Sequence, residues 1–458
     1  METIIYIGGE IAIKNCPTHI AQQLKFQATL PNPKYYMWEA KASKNSWYKD
    51  NVLQPERNYV YWRESKGNLY LPRGMWDAVL SLLPNAKIVS LLVDPKPVSP
   101  FQFNGKSWYG QAEAVDSALQ HNFGYVLGPT GSGKTSIGIQ IACKLGLTTL
   151  FMVHTDALLQ QAYERVEKFT GYTPGLIGGG NWNVKDFTIG TFQTIYKKDC
   201  SSIKNSFGLV IADEFHHMQA ETFFAAVRKF NSLHAYGLTA TDTGKMKYIN
   251  LALGQKVAEV DRKGLVEAKT ILEAEVYVIK TGYKTKKEYE NYDLAKLYTE
   301  LASSPKRNSF VLDLIKSIQP GRRTVIASHR IDQLDWFYEQ LKEFNPVLYH
   351  GKLKTKQKKI SFDRMQNDDD NRIVLTTVQI IQEGFDAPHW DQLVMATPIG
   401  GRDGVEQLIG RVVRKSEGKM TPRVFDLLDN SILTETWLNN RLNRYEKLNA
   451  KVHFDKTF

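Results

Sequence analysis

The stretch that most constrains this chain is GYVLGPTGSGKTSIG, Gly124 to Gly138. An apolar run enters a glycine-rich turn, and a lysine and a threonine follow it. Gly128, Gly133, Lys134 and Thr135 satisfy the spacing G-x-x-x-x-G-K-[ST], with Pro129, Thr130, Gly131 and Ser132 in the intervening places. "YVL" reads as a strand, and "KTSIGIQIACKL" as a helix with Ile137, Ile141 and Leu145 on one face. Glycines let backbone N–H groups wrap an anion, and the helix N-terminus adds a positive dipole end. In this pattern Lys134 reaches the β- and γ-phosphates and Thr135 holds Mg²⁺. The loop therefore reads as a nucleoside triphosphate site.

A strand–loop–helix unit belongs to an α/β fold, and the chain continues the alternation. "TTLFMVHT", "FTIGTF", "FGLVIADEF" and "HAYGLTAT" read as buried strands, with "DALLQQAYERVEKF" as an amphipathic helix. The pattern weakens between Asp261 and Pro305, where "EYENYDLAKLYTELASSPKRN" reads as polar helix. It resumes with "RTVIASH", "PVLYHG", "RIVLTTV", "QLVMATP" and "RVFDLLD" as strands and "IDQLDWFYEQLKEF" and "KKISFDRMQ" as helices. The expectation is a small N-terminal α+β domain over 1–98, two α/β domains over 99–262 and 306–458, and a connecting segment over 263–305. In the first of these, "NYVYWRES", "KGN" and "LYLPRG" read as a hairpin and "MWDAVLSLL" as a short helix. "NDDDN", Asn367 to Asn371, reads as a solvated acidic turn.

Composition narrows the partners. Lys and Arg number 59 against 48 Asp and Glu, a net charge of +11 that favours a polyanion such as nucleic acid. Three scattered cysteines form neither a paired metal motif nor a disulfide framework, which fits a reducing cytoplasm. No apolar run approaches the roughly 18 residues of a membrane span, and "METIIYIGGEIAIKN" lacks the layout of a secretory signal.

Two further groups bear on the triphosphate. "LVIADEFHH" puts Asp213 and Glu214 at the end of an apolar strand, about 80 residues past the loop. One carboxylate there can complete a Mg²⁺ shell, and the second can orient or activate the attacking water. His216 has no second ligand at metal spacing and reads as a coupling residue. "EQLIGRVVRK" places Arg411 and Arg414 three apart on one face of an expected helix, with Gln407 four before Arg411. Arginines from a second domain can neutralise charge on a transferring γ-phosphate.

This ordered set resembles the DExH-type superfamily II helicases. "GPTGSGKT", "DEFH", "LTAT", "TTVQIIQEGFDAP" and "QLIGRVVR" match that family's motifs I, II, III, V and VI in order, from about residue 101 to 430. "VHTDALLQQ", "GTFQTI" and "VIASHR" resemble motifs Ia, Ib and IV. Within the superfamily, size and the added N-terminal domain are similar to tailed-phage branch-migration helicases of recombination and repair. The resemblance implies two tandem RecA-like domains, ATP with Mg²⁺ held by Thr135 and Asp213, and a glutamine, Gln111, that reads adenine beside Trp108 or Tyr109. It assigns catalysis to Lys134, Asp213, Glu214, Gln407, Arg411 and Arg414, and makes Gly384 and Asp386 bridge nucleotide and nucleic acid. Motif Ia departs from the family in carrying His154 and Thr155 in place of proline and arginine.

The function expected is an ATP-dependent DNA helicase that unwinds or branch-migrates forked and branched DNA, acting as a monomer in the cytoplasm, or the host cytoplasm for a phage protein. Thr155, Gly179, Thr191, Ser328, Arg330, Lys352 and Thr376, in or beside strand-end motifs, are the candidate nucleic-acid contacts. "GKLKTKQKK", from Gly351, adds lysines that can track phosphates. In "NYVYWRES" the aromatics suit either base stacking or the core of a small domain, and the core is the commoner use. RNA unwinding, duplex translocation without strand separation and a non-catalytic binding module are the competing readings.

Overall fold

The computed structural model describes residues 2–43, 46–93, 101–215, 220–240, 246–289, 294–319, 321–367, 372–383, 389–400, 404–416 and 418–454. The chain forms two compact units. One comprises Met1–Ser107, Gln111–Gly128 and Lys134–Val260; the other comprises Trp108–Gly110, Pro129–Gly133 and Asp261–Phe458.

The first unit opens with a five-stranded sheet in the order Arg63–Ser65, Asn68–Pro72, Glu10–Lys14, Ile4–Ile7, Lys87–Ser90. Its pairs are antiparallel except the last, Ile4–Ile7 with Lys87–Ser90. Residues alternate faces along a strand, so Ile5, Ile7, Ile11, Ile13, Leu69 and Leu71 fall on one side and are buried together. Leu24 of the helix Thr18–Gln27 and Val79 of the helix Trp76–Leu82 close that core. The hairpin is shorter than its sequence suggests. Lys66 and Gly67 make the turn, both at positive φ, as a two-residue connection of this twist requires. Asn58–Val60, read as the hairpin's start, pairs instead with Thr29–Pro31.

The aromatic run of this region is packed inward. Tyr61 stacks on Phe224 at 4.4 Å between centroids, and Trp62 donates Nε1–H to Thr29 Oγ1 at 3.1 Å. Burial pushes the Tyr61 hydroxyl up to about 12. These side chains belong to the core.

The larger sheet of this unit has eight strands: Asn181–Asn183, Gly175–Gly178, Phe187–Thr191, Thr149–Val153, Leu209–Asp213, His234–Thr239, Phe123–Leu127 and Lys256–Glu259. Every neighbouring pair is parallel except the first. Thr149–Val153, Phe187–Thr191 and Leu209–Asp213 are buried at every position, which is why they read as continuous apolar runs. Parallel strands carry all their C-terminal ends to one edge, and there the motif loops collect.

The five-stranded sheet is fastened to this unit by polar contacts. Gly9 N–H donates to Asn231 Oδ1 at 2.9 Å. Arg73 is buried, donates to Ser232 Oγ at 3.2 Å and to the carbonyls of Ser232 and Leu233, and stands 3.9 Å over the Phe123 ring. A Cβ on Gly74 would lie 2.0 Å from the Asn250 carbonyl, so only glycine allows that approach.

The second unit holds a seven-stranded, all-parallel sheet: Val347–Tyr349, Ile373–Thr377, Thr324–Ser328, Gln392–Met395, Arg423–Asn430, Glu275–Lys284 and Lys451–Phe454. Glu275–Lys284 lies inside the span expected to be a connecting segment. Only its first half is buried, and its second half alternates between exposed and half-buried, so no apolar run announces it. The helix Pro305–Ile318 starts on Ser304, whose hydroxyl accepts from Arg307 N–H, with proline in the first turn. The two parallel sheets are the RecA-like pair, and the smaller mixed sheet is the N-terminal α+β part.

Candidate functional site

The phosphate loop hangs between Phe123–Leu127 and the helix Lys134–Leu145. Gly131 and Gly133 take φ of +96° and +76°, conformations that side chains disfavour. Gly138, one turn into the helix, lets it close on the sheet: a Cβ there would meet Phe151 at 2.8 Å and Leu238 at 3.0 Å. The loop and the acidic strand end share one support. Gly128 N–H donates to the Thr239 carbonyl at 2.9 Å, and Glu214 N–H to the Leu238 carbonyl at 3.0 Å. The strand carrying "LTAT" therefore sets the height of both.

Four side chains converge at this edge. Lys134, 7% exposed, donates Nζ–H to the Gly128 carbonyl at 3.1 Å and lies 3.2 Å from Glu214 Oε1. Thr135 donates its hydroxyl to Asp213 Oδ2 at 2.9 Å. Asp213 is 7% exposed, and its Oδ1 is buried without a hydrogen-bond partner among the described residues. Burial, then the neighbouring Glu214, pushes the Asp213 carboxyl up to about 6, against the opposing pull of Lys134, the Thr135 hydrogen bond and Arg165. A desolvated oxyanion with one oxygen unmet, next to a threonine hydroxyl, is the donor set a hard divalent cation takes. The residues present therefore fit Mg²⁺, and Thr135 and Asp213 are the ones that would hold it. Glu214 sits at φ +49°, left-handed backbone that a glutamate adopts only under constraint.

The adenine-reading candidate, Gln111, is 3% exposed at the start of the helix Gln111–Leu119. Its Oε1 accepts from Gln140 Nε2 at 3.2 Å, and the same amide donates to Ser136 Oγ at 3.3 Å. Ser107 donates its hydroxyl to Gln140 Oε1. Gln140 thus ties Gln111 to the phosphate-loop helix. Sequence reading missed it because it presents itself as one polar residue on a mostly apolar helix. Trp108 and Tyr109 are about half exposed, at 49% and 48%. Arg165, also missed, comes from the helix Asp156–Thr170 and donates Nη1–H to Thr135 Oγ1 at 3.1 Å.

In the second unit Gln407, buried at 6%, and Arg411 share the helix Gly404–Val412. Arg411 Nη2 donates to the Gln382 carbonyl at 3.3 Å. Arg414 departs from expectation. The helix stops at Val412, and Arg414 makes an isolated antiparallel bridge with Ile271, so the two arginines do not share a helix face. Leu272 N–H bonds the Val413 carbonyl at 2.8 Å, and that pairing takes the backbone out of helical geometry. Gly384, Asp386 and His216 lie outside the described residues, as do Asp368 to Asn371 of the acidic turn.

The nucleic-acid candidates divide by what already occupies them. Thr155 and Thr191 cap helices, accepting from Leu158 N–H at 3.2 Å and Thr194 N–H at 3.4 Å. Ser328 is fully buried, donates to Gln333 Oε1 at 2.6 Å and accepts from Arg330 N–H at 3.0 Å. Arg330 donates Nε–H to Thr299 Oγ1 at 3.0 Å and reaches the Ala295 carbonyl. Thr376 is fully buried, with its hydroxyl unpartnered among the described residues. Gly179 and Lys352 are exposed. Gly179 sits in a three-glycine turn, and Gly178, Gly180, Trp182 and Lys198 line a groove of about 500 Å³ beside it.

Two segments of the chain match known families. Residues 105–243 match the family described as Type III restriction enzyme, res subunit, and residues 306–416 match the helicase conserved C-terminal domain. The chain is similar to an Acanthamoeba polyphaga mimivirus protein named "Putative ATP-dependent RNA helicase L396", 29% identical over 65% of this chain and 59% of that one. It is 36% identical to "DNA 3'-5' translocase XPB2" of Sulfurisphaera tokodaii over 39% of each chain. The chain thus spans 59% and 39% of the lengths of these two relatives. The solved structure of the Type ISP restriction-modification enzyme LlaBIII bound to DNA shares the fold, with a TM-score of 0.55 at 17% identity, over 77% of this chain and 31% of that one. With a lysine-and-threonine phosphate loop, an adjoining Asp–Glu pair, two parallel sheets and both family segments in order, this chain carries the two RecA-like domains of a helicase.

Proposed function

We propose that this protein is an ATP-driven DNA motor that unwinds or branch-migrates forked and branched DNA. The observation that carries the proposal is the convergence of Lys134, Thr135, Asp213 and Glu214 at one sheet edge. In it, Lys134 neutralises the β- and γ-phosphates, Thr135 and Asp213 hold Mg²⁺, and Glu214 accepts the proton of the attacking water. Bound Mg²⁺ supplies charge neutralisation on the phosphate oxygens. Gln111 reads adenine, while Arg411 and Arg414, supported by Gln407, answer the charge of the γ-phosphate. Gly384 and Asp386 link nucleotide to nucleic acid.

Contacts made to ATP but not to ADP favour one conformation of the motor, and losing them favours another. Grips on the strand then shift with each turnover. A motor must tolerate every sequence, so those grips are to the backbone. The N-terminal sheet, fastened through Arg73 and Gly74, engages the branch. The active species is a monomer in the cytoplasm, the host's if the protein is viral.

The test is ATP-driven unwinding of a panel of forks, replication-fork mimics and four-way junctions by the full chain and by Lys134→Ala. Strand separation or junction migration by the first and none by the second is expected. Equal activity in both sinks the assignment. The RNA-helicase name of the mimivirus relative makes duplex RNA the competitor to include. RNA displacing forked DNA at equal concentration would transfer the proposal to RNA.

A further inference from the structure

Arg165 has no part in the scheme above, yet it touches the hydroxyl on which that scheme depends. Thr135 Oγ1 carries one proton and two lone pairs. The proton goes to Asp213 Oδ2 at 2.9 Å, and one lone pair accepts from Arg165 Nη1 at 3.1 Å. A single lone pair is left for a metal. A guanidinium keeps its charge at any working pH, and it shares this hydroxyl with whatever cation the hydroxyl ligates. Two cations on one oxygen, beside a carboxylate that is 7% exposed, oppose each other with little water between them.

The helix explains how Arg165 gets there. Asp156–Thr170 buries Leu159, Ala162 and Val166 along one stripe and exposes Glu164. Arg165 lies at the margin of that stripe, half-buried, and its long side chain reaches Thr135 on the phosphate-loop helix. The same helix begins at Thr155, a candidate strand contact, so one rigid element carries both.

Resting on the phosphate-site reading, we propose that Arg165 competes with the divalent cation for the Thr135–Asp213 pair and must withdraw from Thr135 for the metal to load. Arg165 is thus a positioning residue that sets metal affinity. A simple structural prop would leave that affinity unchanged or lower it when removed.

The test is direct titration of the full chain with Mn²⁺, read by electron paramagnetic resonance, with and without ADP. Arg165→Gln keeps a donor for Thr135 and removes the charge. Arg165→Lys keeps the charge, and Arg165→Met serves as a second neutral variant. Mn²⁺ binding at least about 5-fold tighter in the two neutral variants, and unchanged in Arg165→Lys, is expected for a coupling of ordinary size. Unchanged or weaker binding in the neutral variants overturns the inference. Asp213→Asn separates this from the underlying reading. If it abolishes Mn²⁺ binding while Arg165→Gln has no effect, only the role of Arg165 fails. If it binds Mn²⁺ like the parent, the phosphate-site reading fails and the inference with it.

Discussion

The Lys134 ammonium and Glu214 Oε1 stand 3.2 Å apart, so the cation of the phosphate loop and the acid after Asp213 hold each other at one edge of the sheet. On the proposed scheme the two have separable jobs. Lys134→Ala removes the charge proposed to bind the phosphates, and both ATP affinity and turnover should fall. Glu214→Gln keeps the shape and loses only the proposed proton acceptor. Turnover should drop by about 10²–10⁴-fold while ATP binding persists. Phosphate release and fluorescent-nucleotide binding, measured on both variants, check this. Glu214→Gln with normal turnover would remove Glu214 from catalysis.

Arg73 predicts how firmly the N-terminal sheet is attached. Arg73→Ala strands the carbonyls of Ser232 and Leu233 and opens a hole beside Phe123. A loss of about 2–4 kcal/mol in urea unfolding is expected, with the N-terminal part becoming the first site of proteolysis. Deleting residues 1–95 should impair branched substrates more than ATP hydrolysis on simple strands.

Asp426 anchors the second unit's interior. It accepts from Arg441 Nε at 2.7 Å, from Arg441 Nη2 at 2.9 Å and from the Tyr445 hydroxyl at 2.6 Å, all buried. Asp426→Asn leaves the guanidinium without its counter-charge, and thermal or urea unfolding should report a loss of about 3–5 kcal/mol. A change under about 1 kcal/mol would show that the network relaxes to find other partners.

His329 gives a pH dependence. Its ring stacks on Tyr298 at 3.9 Å and its Nδ1 lies 2.8 Å from Thr397 Oγ1. Burial, then the neighbouring Arg330, holds it down at about 4, below its ordinary 6.5. Between those values the unfolded chain takes up a proton that the folded chain refuses. Stability from the neutral ring is therefore complete above pH 6.5, declines as pH falls toward 4, and levels off below. The full change is at most about 3 kcal/mol. Unfolding measured from pH 7 to 4 should show this slope in the parent, and His329→Gln should flatten it.

The lysines after Gly351 carry the last prediction. Lys352, Lys354 and Lys356 are exposed. If they track phosphates, replacing all three by Gln should weaken strand binding for every sequence alike. The slope of log affinity against log salt should shrink by about 0.7–0.9 for each phosphate no longer neutralised. An unchanged slope would return these residues to the solvated turn before, and the first turn of, the helix Thr355–Asn367.

Much of the fold was legible because the central strands are buried on both faces. Thr149–Val153, Phe187–Thr191, Leu209–Asp213 and Thr324–Ser328 announce themselves as unbroken apolar runs. Glu275–Lys284 and Lys451–Phe454 did not, because a half-exposed strand and a short edge strand carry no such run. The turn of the chain out of helix before Arg414 was hidden for a related reason. Backbone pairing with Ile271 and Leu272, more than a hundred residues earlier, outweighs local helical propensity.

What the sequence alone determined is the chemistry that needs neighbouring residues: a glycine turn able to wrap phosphate, followed at once by Lys134 and Thr135, and an Asp–Glu pair at the end of an apolar run. Local spacing is enough there, because one turn and one strand end create the arrangement. Tertiary structure decided what distant segments share. It hung Gly128 and Glu214 on one strand, brought Arg165 to the Thr135 hydroxyl, joined Gln140 to Gln111, and turned the aromatic run around Tyr61 inward onto Phe224. Such contacts depend on which strand lies beside which, and spacing along the chain carries no record of that order.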